Sequence, residues 1–278
     1  MRRRMQWTYW RLLLIAAGMF LSTHAAAQTN CNEGSGPLST DQPQGISVAD
    51  IIQKLSAHES EFKEAQTRYS YNREILVQTL NGNAPDGEYR RVSHFSYKQG
   101  KPVEDVLLSP QSTLQRVTLT KEDFDDIERS PFVLTREGLP EYNVNYIGRQ
   151  KVDALDTYVF DVAPKEIVKN KRYFQGRVWV ENRDLALVKS CGKNVPEDPE
   201  GKQKKKRKKG QPPQENVAPT LVTYREQFEH RYWFPIYVRS ESSLNLQSTD
   251  AIHVVEIIKY TEYQRADASS GAAGNAQP

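Results

Sequence analysis

The histidines His58, His94, His230 and His253 stand singly, with no H-E-x-x-H pair and no cysteine at zinc-ligand spacing, so no metal site is nominated. No G-x-S-x-G elbow and no phosphate-binding glycine loop is present. The densest acidic cluster is Asp123, Asp125, Asp126 and Glu128. It lacks the glycine and the alternating oxygen donors of a calcium loop, and carboxylates at the start of a helix are favoured by its dipole without any ligand. These residues name no catalytic group, metal or cofactor, although a carboxylate pair drawn from distant parts of the chain stays open. Cys31 and Cys191 are the other reactive side chains. In an oxidising compartment an even count permits a disulfide, which here would close a long loop and stabilise by about 3 kcal/mol or more. Sequence gives no distance between the sulfurs, so the bridge stays open.

The elements around these residues are mostly strands. Ser47-Val-Ala-Asp50 has a capping pattern, and Val48, Ile51, Ile52, Leu55 and Phe62 follow at helical spacing, which predicts one amphipathic helix to about Gln66. After Thr67 the period falls to two. Tyr69, Tyr71, Ile75 and Val77 alternate with polar residues, Asn81-Gly82 and Asp86-Gly87 punctuate a hairpin, and strands follow over Tyr89 to Tyr97 and Val103 to Leu108. Thr120-Lys-Glu-Asp123 predicts a second, short helix, broken at Ser130-Pro131, with Phe132-Val-Leu134 laid across the sheet. Strands resume over Val144 to Val152, Thr157 to Val162, Tyr173 to Val180, Leu185 to Ser190, Leu221 to His230, Ile236 to Leu246 and Ile252 to Tyr263. About ten strands in hairpin order with two helices predict a mainly β fold with few helices: a wide antiparallel sheet that curls on itself, with the helices on its concave face.

The first residues combine a basic start (Arg2, Arg3, Arg4, Arg11), an apolar core from Leu12 to Leu21 and a small-residue site at Ala25-Ala26-Ala27. That order is expected of a cleaved signal peptide over 1–27, too short to span a bilayer, and places the mature protein in a bacterial periplasm. A flexible Gly, Pro, Ser, Asn and Gln-rich lead-in over 28–45, a domain over 46–265 and a disordered tail over 266–278 follow. The formal net charge of +3 is concentrated in the run from Lys202 to Lys209, flanked by prolines and expected as a disordered loop over about 194–216. In a cytosolic protein such a run would suggest nucleic acid. Export argues against that and leaves a solvated insertion or peripheral contact with an anionic membrane or glycan surface.

Tyrosines, phenylalanines and tryptophans such as Tyr89, Tyr146, Trp179, Tyr224, Trp233 and Tyr260 lie almost all on the expected strands. Each alone reads as core, whereas together they furnish a large apolar surface on a curved sheet, suited to an acyl chain. The stretch from Arg172 to Gly192, with Gly176, Trp179-Val180, the turn Asn182-Arg-Asp184 and Leu185-Ala-Leu-Val188, resembles the strand-turn-strand of LolA-like periplasmic proteins of the outer-membrane lipoprotein-sorting group. Tyr232-Trp-Phe-Pro-Ile-Tyr-Val-Arg239 and Tyr158-Val-Phe-Asp-Val162 resemble further strands of that group. The resemblance implies an incomplete barrel with helices as a lid and an apolar cavity for lipid or the acyl chains of lipoproteins. The lysine-rich insertion departs from a plain lipoprotein carrier.

The expected activity is non-enzymatic binding or carriage of a lipid, acyl chain or lipoprotein, without cofactor, with Ile51, Leu55, Phe62, Phe95, Phe160, Val178, Trp179 and Phe234 as candidate cavity residues. The alternatives are an envelope sensor or assembly module that binds a protein partner through a sheet edge or the basic loop, and a secreted hydrolase.

Overall fold

The computed structural model describes residues 29–196, 219–244 and 252–266. The expected signal peptide, the run from Lys202 to Lys209 and the tail beyond Ala266 lie outside the described residues. Among the described residues no helix is long and apolar enough to cross a membrane.

Helix α1 (Val48–Gln66) begins where Ser47 Oγ accepts from the Asp50 amide at 3.1 Å, satisfying one of the free N–H groups of the first turn. Strands β1 (Tyr69–Asn81), β2 (Ala84–Lys98) and β3 (Lys101–Leu108) follow as a meander. Helix α2 (Lys121–Arg129) starts with a capping box in which Thr120 and Asp123 bond each other's backbone. A short 3-10 turn (Leu139–Glu141) leads into β4 (Tyr142–Val152), β5 (Leu155–Pro164), β6 (Tyr173–Glu181), β7 (Leu187–Val195), β8 (Leu221–Phe228), β9 (Tyr232–Leu244) and β10 (Ile252–Arg265). All ten strands form one antiparallel sheet in the order β3-β2-β1-β10-β9-β8-β7-β6-β5-β4. Strands consecutive in sequence pair in space except β3 and β4, which lie at opposite ends, and the sheet is joined through its first and last strands, where Arg73 of β1 faces Tyr260 of β10 and Ile75 faces Ile258. β3 and β4 are the two edges and do not pair with each other, so the sheet is not closed into a barrel, in keeping with the curled sheet expected from the strand pattern and the incomplete barrel implied by the resemblance.

Strand alternation sorts the residues into two faces. Both helices pack on the same one. Ile51 and Leu55 of α1 join Phe160, Val178 and Leu187 from β5 to β7, while Ile127 of α2 joins Tyr71, Ile75, Val238 and Ile258 from β1, β9 and β10. The segment after Ser130-Pro131 does cross the sheet: Leu134 is fully buried and Phe132 stacks on Phe174 with centroids 4.1 Å apart.

Three local readings differ from expectation. Asp86-Gly87 lies inside β2 rather than in the hairpin loop, because the chain after β3 crosses there: the Thr113 amide donates to the Glu88 carbonyl, and a Cβ on Gly87 would stand 2.8 Å from the Thr113 carbonyl oxygen. Strand β7 runs on to a buried Val195, past the expected start of the basic loop at 194. The lead-in over 28–45 is, from Thr29 onward, a fastened strap on the outer face. Ser39 and Arg149 exchange backbone hydrogen bonds, the Gly36 amide donates to the Lys151 carbonyl, and Cys31 is bonded to Cys191, with their Cα atoms 5.5 Å apart. Its composition shows no hydrophobic period, so nothing local signals that β4 offers it an open edge. Beneath the strap Lys189 sits over the Trp179 ring at 4.7 Å and donates to the Glu33 carbonyl and Ser35 Oγ. Burial pushes its amine down to about 8.

Candidate functional site

The inner face carries charge where a carrier's interior would be expected to be apolar. Arg73 on β1, Arg225 on β8 and Glu256 on β10 all occupy inward positions of their strands, and all are buried. Each arginine meets a helix carboxylate. Arg225 donates to Glu59 of α1 at 3.0 Å and to the Phe132 carbonyl at 2.5 Å. Arg73 donates to Glu128 of α2 at 2.5 Å. Arg172, just before β6, holds Asp126 of α2 through both carboxylate oxygens and donates to the Pro196 carbonyl at 2.6 Å. The helices are therefore tied to the sheet by charge-assisted bonds as well as by packing, and losing one partner would strand a buried charge. Glu256 makes no ion pair among the described residues. The charges that act on it are those of Asp123 and Asp126 of α2, and its carboxyl stands 3.5 Å from Ser240 Oγ. Desolvation, reinforced by the two aspartates, pushes it up to about 7.

The inner face is not filled evenly. Under α1 the side chains of Ile51, Leu55, Leu134, Phe160, Val178 and Leu187 are completely buried and close the space. Towards β1, β2 and β3 a pocket of about 430 Å³ remains open between the C-terminal turns of α1, the end of α2 and Pro131 to Val133. That lies within the range of small-molecule sites, roughly 300–1,000 Å³. Its walls are the rings of Phe62, Tyr71, Phe95, Tyr97 and Tyr260, with Val133 and Pro102. Tyr71 and Phe95 stack with centroids 5.3 Å apart, and Tyr260 leans on Tyr71 at 5.9 Å. Burial raises the Tyr71 and Tyr97 phenols and brings Tyr260 to about 12, so these rings are neutral at physiological pH. Charge in the lining comes from Arg73, Glu104 and Glu128. Glu104 is neutralised by Arg91 at 3.0 Å and accepts from Ser93 at 2.7 Å. Arg73 lies against the Phe95 ring, 4.3 Å from its centroid, and its Nε has no hydrogen-bond partner among the described residues.

The structure separates the residues named from sequence. Phe62 and Phe95 line this pocket. Ile51, Leu55, Phe160 and Val178 lie together on the same inner face but inside the closed core. Phe234 packs with Phe62, edge to face at 5.2 Å, in a small aromatic cluster with Tyr69. Trp179 is the correction: it belongs to the outer face, covered by the strap, where its Nε1 donates to Gln150 Oε1 at 2.7 Å. Its strand neighbours Val178 and Val180 face inward, so the alternation itself sends Trp179 the other way. Tyr71, Arg73, Glu128, Val133 and Tyr260 were not named as site residues. The missed signal was a charged residue in the apolar register of a strand: Tyr71-x-Arg73-x-Ile75 in β1 and Val254-x-Glu256-x-Ile258 in β10.

A second cleft, about 330 Å³, opens between α1 and the β6–β7 and β8–β9 turns, where His58, Arg183, Asp184, His230 and Arg231 meet Tyr232 and Trp233. Asp184 there accepts from Gln227 at 2.7 Å and from the Trp233 indole at 3.1 Å. Among the described residues no group of three or more His, Cys, Asp or Glu side chains could hold a metal ion.

No family model and no curated protein matches this chain. Solved structures similar to it include a LolA superfamily protein from Nitrosomonas europaea, 13% identical, covering 80% of this chain and 94% of that one with a TM-score of 0.34. A DUF1329 family protein from Desulfovibrio piger is 15% identical and covers 78% and 92% with a TM-score of 0.36. A domain named for outer membrane lipoprotein sorting from Vibrio parahaemolyticus is 13% identical and covers 78% and 91%, also with a TM-score of 0.36. The fold itself rests on this chain's own strand order and on the two helices it carries on one face.

Proposed function

We propose that this is a non-enzymatic periplasmic binding protein that holds the acyl chain of a lipid, lipoprotein or other amphiphile on the inner face of its sheet. The observation that carries the reading is the aromatic pocket between α1, α2 and β1 to β3, walled by Phe62, Tyr71, Phe95, Tyr97 and Tyr260. A chain entering it gains about 0.8 kcal/mol for each methylene withdrawn from water, and neutral rings impose no charge cost on the tail. The resemblance of Arg172 to Gly192 and Tyr232 to Arg239 to LolA-like strands makes lipoprotein acyl chains one member of this ligand class. The periplasmic location is supported by the three-part leader in the sequence and by the Cys31–Cys191 bridge, since disulfides persist in oxidising compartments.

Solvent extracts of the purified protein analysed by mass spectrometry, with titration of a fluorescent fatty acid into delipidated protein, test the reading. Co-purified lipid or saturable probe binding supports it. Empty extracts together with no probe binding remove it.

A second reading, an envelope module that binds a protein, draws on one observation. At the end of edge strand β3, Val106, Leu107 and Leu108 are 50%, 59% and 45% exposed, an apolar stretch beside an unpaired edge. Cross-linking from position 107 in intact cells distinguishes the two readings. A specific protein adduct favours the module, whereas lipid adducts alone favour the carrier.

A further inference from the structure

Resting on the carrier reading, we infer that the pocket selects amphiphiles with an anionic head, a carboxylate or phosphate, and that Arg73 is the anchor, with Glu128 of α2 holding its place when the site is empty. Arg73 is 5% exposed and lines a pocket whose other walls are mostly aromatic rings. A cation so buried needs an anion, and Glu128 supplies one at 2.5 Å.

The pair is lopsided: the Glu128 side chain is 55% exposed. Glu128 can swing into water at little cost once another anion takes its place, whereas Arg73 is buried over the Phe95 ring and cannot. The exchangeable partner is therefore the carboxylate, and what replaces it must be an anion. A cationic head would have to take Glu128 from Arg73 and leave a buried guanidinium unpaired. Glu104 offers a cation no better site, because Arg91 and Ser93 already engage it. The tail then runs along the rings of Tyr71, Phe95, Tyr97 and Tyr260. Because Glu128 belongs to α2, an anion at Arg73 also releases one of the two ion pairs that, among the described residues, tie this helix to the sheet side, leaving the pair between Asp126 and Arg172.

The test compares four twelve-carbon probes of equal tail length by calorimetry on the delipidated protein: dodecanoate, dodecyl phosphate, dodecanol and dodecyltrimethylammonium. The acid-to-alcohol affinity ratio is expected to be about tenfold or more, the usual advantage of one charge-assisted bond. Preference for the carboxylate or for the phosphate distinguishes a free fatty acid from a phosphorylated lipid head. Arg73→Met should bring the ratio close to one, and Arg73→Lys should retain part of it. Glu128→Gln should raise the ratio by removing the resident competitor; because it leaves the buried Arg73 without its anion, its fold is checked by circular dichroism and binding is read on the folded fraction. An alcohol bound as tightly as the acid, a preference for the ammonium, or a ratio unmoved by Glu128→Gln overturns the anchor while leaving the carrier reading in place. Binding of none of the four probes removes both.

Discussion

The inner face of the sheet has two halves that the chain fills by different means. Under α1, between β5 and β7, it is packed with Ile51, Leu55, Leu134, Phe160, Val178 and Leu187 and leaves no room. Under α2, between β10 and β3, the same face carries Arg73 and Glu256 among its aromatic rings and ends in an open pocket. The outer surfaces differ in the same sense: the closed half is covered by the N-terminal strap and held by the Cys31–Cys191 bridge, while the open half ends at the unpaired edge of β3. A curled sheet must bury its concave face, but nothing requires that every part be buried equally well. Here one half supplies stability by close apolar packing and the other keeps a cavity, while ion pairs tie both helices to the sheet side, Glu59 to Arg225 for α1 and Glu128 to Arg73 and Asp126 to Arg172 for α2. Buried ion pairs are poor net stabilisers compared with apolar packing, and α2 contributes Ile127 to the core where α1 contributes Ile51, Leu55, Phe62 and Ala65, which makes the second half the one better able to open.

The largest effect expected from this division belongs to the bridge. Replacing Cys31 and Cys191 together by serine should cost about 5 kcal/mol in urea unfolding, because the bond closes a loop with a sequence separation of 160. Probe binding at the far pocket should persist in the folded protein; a joint loss of binding and stability would break the proposed independence of the halves. Leu55→Ala should cost about 3 kcal/mol by opening a cavity in the closed half. If that cavity instead lets a longer acyl chain bind, the closed half is part of the site and the contrast is weaker than drawn.

Glu256 gives a pH-dependent test of the open half. Its carboxyl is raised from 4.5 to about 7, with Asp123 and Asp126 of α2 and Ser240 of β9 facing it. Below pH 4.5 it is protonated in both the folded and the unfolded chain. Between pH 4.5 and 7 only the folded chain keeps the proton, so stability falls as pH rises through that window, by about 3 kcal/mol in all. Glu256→Gln should therefore be the more stable protein at pH 8 by about that amount and show no advantage at pH 4, measured by urea midpoints at each pH. An equal advantage at both pH values would mean that Glu256 is not kept protonated by its surroundings.

The smallest effect on stability should come from Val133→Trp, which places a ring in the pocket space. It should weaken fatty-acid binding by about tenfold or more with a change in stability below about 1 kcal/mol. A variant that binds as well as the parent would move the ligand away from this pocket.

Local signals brought much of the fold within reach of the sequence. The change of period after Thr67, the caps at Ser47 and Thr120 and the break at Ser130-Pro131 each act within a few residues, and the elements form where they predict. The site was less legible. The candidates Phe62 and Phe95 reached the pocket, whereas Ile51, Leu55, Phe160 and Val178 went into closed core and Trp179 onto the opposite face. Hydrophobicity says that a side chain will be buried but not against what. Arg73 and Glu256 were readable as charged residues in apolar registers, and that pattern points to a buried partner without naming it.

By itself, then, the chain determines the elements, their alternation and the antiparallel, mainly β class, because these follow from backbone geometry and neighbouring residues. Tertiary structure alone decides that β1 pairs with β10, that Cys31 reaches Cys191, and that Glu128 and Asp126 of one helix meet Arg73 and Arg172 from different parts of the sheet. Those contacts join segments distant in sequence, and their free energy depends on how the whole sheet curls. The place of the cavity depends on it in the same way: where the first turns of α1 fit closely the inner face is filled, and between its last turns and the end of α2 a space is left.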